Sequence, residues 1–353
     1  MSAGDTLIIL TPGFAAHEAD DVLPAQEAFI RTVNADYPAL KVIILSFHYP
    51  YSARRKEYYW HGNRVIAFGA KMNDKLQTIT LWWRVWRVLN ALRKEHSLVG
   101  IFSFFCSESA FIGQRFAKRY GLKHFIWILG QDAKKENRQV RRIRPKAKEL
   151  IAISDFLVES FQKNHGVRPA YMMPLGVDTT LFDATTLKRE IDLLGAGSLI
   201  PLKQYDVFIR VVKKIAEMAP AIRAVICGEG PEMPRLLAMI ERNEHPGQIM
   251  LAGKLPHRET LKTMRRSKIL LHTSSYEGLG VVCLEALYAG AHVISFCRPF
   301  DEAIPHWHVV NDEAGMVEKA LELLKNQRLD DTPVLPFEVH DKAGQIIRLF
   351  ESN

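Results

Sequence analysis

Short β-type runs separated by stretches of helical period recur along almost the whole chain, and this alternation restricts the fold more than any other feature. The runs Thr6–Thr11, Lys41–Phe47, Leu98–Phe104, His124–Leu129 and Glu149–Ile153 come first. A Gly-Val-Arg-Pro turn lies within Asn164–Pro169, after a helix-like segment opened by Ser154 and Asp155. The pattern then restarts near Ala170 and continues through Ile191–Leu194, Ile222–Cys227, Gln248–Ala252, Lys268–Thr273 and Ala291–Phe296. Strands joined through helices pair in parallel, and a parallel sheet needs cover on both faces. A chain of 353 residues is long enough for two such cores. The expectation is an α/β protein of two Rossmann-like doubly wound domains, 1–168 and 169–335, with 336–353 as a closing helix that packs back on the first. Ligand-binding loops in such domains follow the C-terminal ends of the strands, and two of these domains are expected to face a central cleft.

The 47 Lys and Arg exceed the 39 Asp and Glu, a net charge of +8 that points to an anionic partner. A nucleotide, a phospholipid surface and nucleic acid all satisfy that condition. Eight Lys or Arg residues fall between Lys134 and Lys148, which suits anionic lipid or a phosphate-bearing acceptor as well as a solvated helix and loop. No recognition motif accompanies this charge, so a nucleic-acid partner is not expected. The segment Leu81–Leu89 places Trp82, Trp86 and Leu89 on one helical face, expected in the core, and leaves Arg84, Arg87 and Trp83 outside. Cys106, Cys227, Cys283 and Cys297 are too widely spaced for a disulfide framework or a zinc site. The apolar run Leu7–Leu10 is too short for a cleavable leader, and no apolar stretch reaches spanning length. The expected location is the cytoplasm, free or peripheral on the inner face of a membrane.

The most informative stretch runs from Ser274 to Gly290 and follows the apolar run Ile269–Leu271. A strand end, a glycine-bearing loop and an opening helix bring free backbone N–H groups and the positive end of a helix dipole to one point, which suits a diphosphate. Gly278 and Gly280 allow close backbone approach, and Glu277 and Glu285 are separated by seven residues, one in the loop and one in the helix. This segment resembles the Glu-x7-Glu motif of retaining GT-B glycosyltransferases, family 4, the glycosyl transferases of group 1. The resemblance rests on the order of neighbouring motifs. Gly195–Lys203 resembles the family's Gly-Arg-Leu-x-x-x-Lys loop, Cys227–Pro231 its Gly-x-Gly-Pro turn, Leu251–His257 its next strand and loop, and Pro174–Asp178 with Phe182 the segment joining the domains.

The resemblance implies a transferase that takes a sugar from a nucleotide-diphosphate donor to a polysaccharide, glycolipid or lipopolysaccharide-type acceptor, with retention of configuration. It implies that Glu285 holds the ribose, that Glu277 lies by the sugar, that Gly278, Leu279 and Gly280 approach the phosphates, and that Lys203 neutralises the leaving diphosphate. Ser198 stands where the family has arginine, and Gly228 belongs to the donor-side turn. In the first half, Gly13 in Thr11–Ala15 resembles the loop facing the donor, and Ile128–Asp132 resembles a His-Gly-x-Asp motif in which Leu129 replaces the histidine and Asp132 is the polar candidate. His17, His48, His61 and His257 are assigned ordinary polar or capping roles. No Asp-x-Asp clamp occurs, so neither a metal nor a cofactor is expected beyond the donor itself. The competing readings are a GT-B epimerase and a catalytically silent nucleotide-sugar-binding or partner protein.

Overall fold

The computed structural model describes residues 4–20, 22–71, 75–183, 187–242 and 248–351. The chain forms two compact units, residues 1–176 with 339–353, and residues 177–338.

The first unit runs β1 (Asp5–Gly13), α1 (Pro24–Asp36), β2 (Lys41–Tyr49), β3 (Lys56–Trp60), β4 (Asn63–Ala67), α2 (Lys75–Glu95), β5 (Ser97–Phe104), α3 (Glu108–Tyr120), β6 (Lys123–Ile128), α4 (Arg138–Ile143), β7 (Leu150–Ala152), α5 (Asp155–His165) and β8 (Tyr171–Met172). Its eight-stranded sheet has the order β3-β4-β2-β1-β5-β6-β7-β8, and only the β3–β4 pair is antiparallel. Leu7 to Leu10 of the central strand are fully buried, as a strand covered on both faces must be. One cover comes from α2 and α3, whose Leu81, Val85, Leu89, Ile112 and Phe116 pack with Ile8, Leu10 and Ile101. On the other cover, Phe29 of α1 meets Phe102 and Trp127 at ring-centroid distances of 5.6 and 5.2 Å.

The second unit runs β9 (Ile191–Ala196), α6 (Tyr205–Met218), β10 (Ala224–Cys227), α7 (Met233–Glu241), β11 (Ile249–Gly253), α8 (His257–Arg265), β12 (Ser267–His272), α9 (Val281–Tyr288), β13 (His292–Ser295), β14 (Trp307–Val309) and α10 (Glu313–Lys325). Its six strands are all parallel, in the order β11-β10-β9-β12-β13-β14. The order reverses beside β9, so the loops after β9 and β12 gather at a switch point where doubly wound folds hold ligands. The last helix, α11 (Val339–Glu351), belongs to the first unit.

The Asn164–Pro169 turn closes α5 but does not end the first unit. Met173 N–H donates to Ala152 O at 2.8 Å and Ala170 N–H to Ala147 O at 3.0 Å, so the chain adds one more short strand before crossing over at Gly176–Val177. The return helix α11 is seated by Phe350, 5% exposed, against Phe102 and Phe125 at 6.1 and 4.9 Å. Gly100 makes room for it: a Cβ there would lie 2.6 Å from the Phe350 ring. Phe350→Ala should therefore destabilise the first unit by about 3–5 kcal/mol, the usual cost of deleting a buried aromatic side chain. Denaturant unfolding would read this as a lower midpoint for that unit.

Candidate active site

β12 delivers His272 at its last position, and the loop beyond it carries Glu277 into Gly280 and α9. Gly280 has φ +71°, a backbone state that only glycine enters at little cost, and it turns the loop into the helix. At the opening of α9 Cys283 N–H donates to Gly280 O at 2.8 Å, and the N–H groups before it lie at the positive end of the helix dipole.

The loop after β9 brings Lys203 to the same place. Thr273 Oγ1 donates to Lys203 O at 2.7 Å, and Ser275 N–H donates to Leu202 O at 3.0 Å, so the two loops are tied together by hydrogen bonds. The Lys203 ammonium is ion-paired with Glu277 Oε2, and His272 Nε2 lies 3.5 Å from the same oxygen. An ionised carboxylate only accepts, so this contact requires the proton on Nε2 of the neutral ring. Burial works against the charged form of Glu277, but the His272 hydrogen bond and the Lys203 ammonium outweigh it and hold the carboxyl at about 2. The His272 imidazole is pushed below its usual range by burial, and further by Lys203, against the pull of Glu277.

Glu285 lies within α9 and accepts from His257 Nε2 at 2.7 Å. His257 opens α8 directly after Pro256. Gly228 has a steric role. It ends β10 against the β9 loop, where Gly197 N–H donates to Cys227 O at 2.9 Å and Leu199 N–H to Glu229 O at 2.8 Å. A Cβ on Gly228 would lie 1.9 Å from Gly197 O, so only glycine lets these strand-end loops close on each other. Ser198 is exposed on the loop that carries Lys203, while Gly278, Leu279 and Gly280 are buried.

Gly13 and Asp132 belong to the first unit. Gly13 ends β1 and pairs with Tyr49, whose Cβ would lie 3.1 Å from an added Cβ. Asp132 follows β6. One of its carboxylate oxygens accepts from Cys106 N–H at 2.9 Å, and the other from Leu129 N–H and Gly130 N–H at 3.1 and 2.8 Å. Burial pushes this carboxyl up, opposed by those backbone donors.

The structure thus brings Lys203 and Glu277 into contact and sets Glu285, Gly278, Leu279, Gly280, Ser198 and Gly228 on the same end of the second sheet. Two residues beside the glutamates carry no sequence signal for that position. His272 reads as the end of an apolar run, and His257 as an ordinary polar or capping residue. Both stand at the strand-end edge of the sheet.

Residues 178–332, inside the second unit, match the family of Glycosyl transferases group 1. The chain is 25% identical over 210 residues to a subunit of the phosphatidylinositol N-acetylglucosaminyltransferase of Arabidopsis thaliana, covering 56% of this chain and 45% of the relative. It is 27% identical over 146 residues to the GtfA subunit of the UDP-N-acetylglucosamine–peptide N-acetylglucosaminyltransferase of Streptococcus agalactiae, covering 41% of this chain and 28% of the relative. The chain therefore spans less than half the length of these relatives. The structure of Anabaena Alr3699/HepE in complex with UDP superposes with a TM-score of 0.74 at 14% identity, over 99% of this chain and 100% of that one. Two parallel-sheet Rossmann-like units with these matches define the GT-B class. The chain has the fold of the GT-B glycosyltransferases, and its second unit carries the match to group 1.

The Glu277 cluster makes a titration testable. A carboxyl held at about 2 contributes stability that is present above the ordinary value of 4.5 and is lost as pH falls through about 2. In carboxyl-carbon NMR of the unliganded protein, Glu277 should titrate well below the ordinary glutamate value of 4.5. Lys203→Met should move its midpoint upward toward the ordinary value.

Proposed function

We propose that the chain transfers a sugar from a nucleoside-diphosphate sugar to a carbohydrate or lipid-linked acceptor with retention of anomeric configuration, at the Lys203–Glu277–Glu285 site. The observation that carries this reading is the pairing of Lys203 with Glu277 at the strand-end edge of the second sheet, beside the opening of α9. A UDP-sugar is the favoured donor. HepE was solved with UDP, and the similar subunits are named for N-acetylglucosaminyl transfer.

In this reading the diphosphate lies between the Lys203 ammonium and the first N–H groups of α9. Negative charge grows on the departing phosphate as the glycosyl C–O bond breaks, and a cation with a helix N-terminus stabilises it there. The acceptor hydroxyl oxygen bonds to the anomeric carbon on the face the phosphate leaves, and its proton passes to the departing phosphate oxygen. Glu285 accepts from the ribose hydroxyls, with His257 orienting its carboxylate through the 2.7 Å hydrogen bond. Glu277 accepts from a sugar hydroxyl. Asp132, which binds backbone N–H groups through both oxygens, acts as a positioning residue for its loop. Activity without a divalent cation and action at the cytoplasmic side of a membrane in cell-envelope polysaccharide or glycolipid assembly belong to the same proposal.

The glutamates should fail differently when changed. Glu285→Gln is expected to weaken UDP and UDP-sugar alike by about 1–3 kcal/mol, the range for hydrogen bonds to a charged group. Glu277→Gln should leave UDP affinity nearly intact while donor hydrolysis falls, because its contact is with the sugar. Calorimetry with UDP beside hydrolysis rates separates the two. Equal losses of UDP affinity would remove the assignment. Chelator should leave donor binding and hydrolysis unchanged. Activity lost in chelator and restored by magnesium or manganese would overturn the metal-free reading.

A further inference from the structure

One side of the first unit carries two features that transfer chemistry does not use. Helix α2 buries Leu81, Val85, Leu89 and Leu92 and packs Trp82 and Trp86 on Phe111 and Phe116 at 4.9 and 5.1 Å. Its outer stripe is apolar as well. Leu76, Ile79 and Trp83 follow one another at helical spacing and are 76%, 60% and 58% exposed. No acidic residue occurs from Lys75 to Lys94, and the Arg87 guanidinium lies 4.7 Å from the Trp83 ring centroid.

The second feature adjoins it through α3, whose Phe111 touches Trp82 and carries the Arg115 guanidinium 5.1 Å from its ring centroid. Arg115 opens onto a groove of about 1070 Å³, lined also by Lys118 and by the five Lys and Arg side chains between Arg141 and Lys148. None of these seven cations pairs with a carboxylate among the described residues. The groove's single acid, Glu149, accepts instead from Gln114 Nε2 at 2.9 Å and Lys146 N–H at 2.8 Å. Seven like charges gathered along a concave surface raise the local positive potential and attract anions to it. An apolar, aromatic stripe beside them is of no use to a purely ionic partner. The two together match a bilayer whose surface is anionic and whose interior receives Leu, Ile and Trp.

We propose that the α2–α3–α4 side of the first unit docks on an anionic lipid bilayer, with Leu76, Ile79 and Trp83 entering the acyl boundary and the α3–α4 groove receiving phosphate-bearing head groups. Arg87 over Trp83 then places its guanidinium at head-group level while its stem follows the ring inward. The attachment is peripheral: among the described residues no helix is long and apolar enough to cross a membrane. This inference deepens the lipid-linked acceptor in the proposed function and rests on that part of it alone.

The test uses the full chain with sucrose-loaded vesicles of phosphatidylcholine alone or with one-third phosphatidylglycerol, at low and high salt. The expected result is sedimentation with the anionic vesicles, at least tenfold stronger than with neutral ones at low salt and reduced at high salt. Leu76→Ser/Ile79→Ser/Trp83→Ser should lower the partition coefficient at least tenfold, and Arg141→Glu/Arg142→Glu/Lys148→Glu should remove the salt-sensitive part. Both variants should keep wild-type UDP affinity, which also reports that they are folded. Brominated lipid should quench tryptophan emission in the wild type and much less in Trp83→Phe. Equal partitioning on neutral and anionic vesicles, or wild-type partitioning by the triple serine variant, overturns the proposal. Vesicle binding lost with UDP affinity intact sinks the docking face and leaves the donor site standing. Vesicle binding without UDP affinity does the reverse.

Discussion

A parallel strand cannot return directly to its neighbour; it must cross over through a helix, and every crossover starts from the same edge of the sheet. In the second unit this constraint puts the loops after β9, β10, β11 and β12 on one edge, although their residues lie far apart in the chain. Lys203 and Glu277 meet there because β9 and β12 are neighbours in the sheet, with Leu193 opposite Ile269 and Leu194 opposite Leu270. The contact between Gly228 and Gly197 has the same origin, since β10 pairs with β9 on the other side. The site is a consequence of strand order, and its precision comes from the buried apolar sheet beneath it.

That rigidity lets the unit keep a charged carboxylate largely out of water. Glu277 has a side chain 22% exposed, and desolvation by itself would favour its neutral form. The ammonium of Lys203 and the N–H of His272 supply what water would have supplied. A partly buried pair of this kind contributes little to stability against an apolar replacement, yet removing one partner leaves the other costly. The cluster is therefore not what holds the fold together.

The fold was legible where burial is two-sided. Thr6–Thr11, Lys41–Phe47 and Lys268–Thr273 read as strands because both faces of a central parallel strand are apolar. The hairpin β3–β4 is not legible for the opposite reason: Lys56–Trp60 is an edge strand with mostly exposed or half-buried residues, and its Lys-Glu-Tyr-Tyr-Trp order lacks the apolar alternation that marks a half-buried strand. Tyr171–Met172 and Trp307–Val309 are too short to show any period. Lys203, Glu277 and Glu285 could be found because their order along the chain resembles a known one. Their partners could not, since a histidine beside a carboxylate in space leaves no trace in spacing when the two lie 28 positions apart, as His257 and Glu285 do. The exposed stripe of α2 was half legible. Trp83 reads as an outward position in Leu81–Leu89, but Leu76 and Ile79 lie before that segment, in the first turns of a helix that starts at Lys75.

The two glutamates share an arrangement that bears on how a donor would be received. Glu277 uses Oε2 for both Lys203 and His272, and Glu285 uses Oε1 for His257. The remaining oxygen of each, Glu277 Oε1 and Glu285 Oε2, makes no hydrogen bond among the described residues. A carboxylate has about four acceptor positions, so one oxygen can stay bonded to the protein while the other takes a ligand hydroxyl. In the proposed reading Glu285 would receive a ribose hydroxyl on Oε2 without giving up His257 on Oε1. Lys203 has room for the same sharing, because an ammonium carries three N–H donors and its pairing with Glu277 uses one of them. In the proposed reading it would meet a phosphate oxygen with another donor, while His272 continues to support the Glu277 carboxylate from the end of β12.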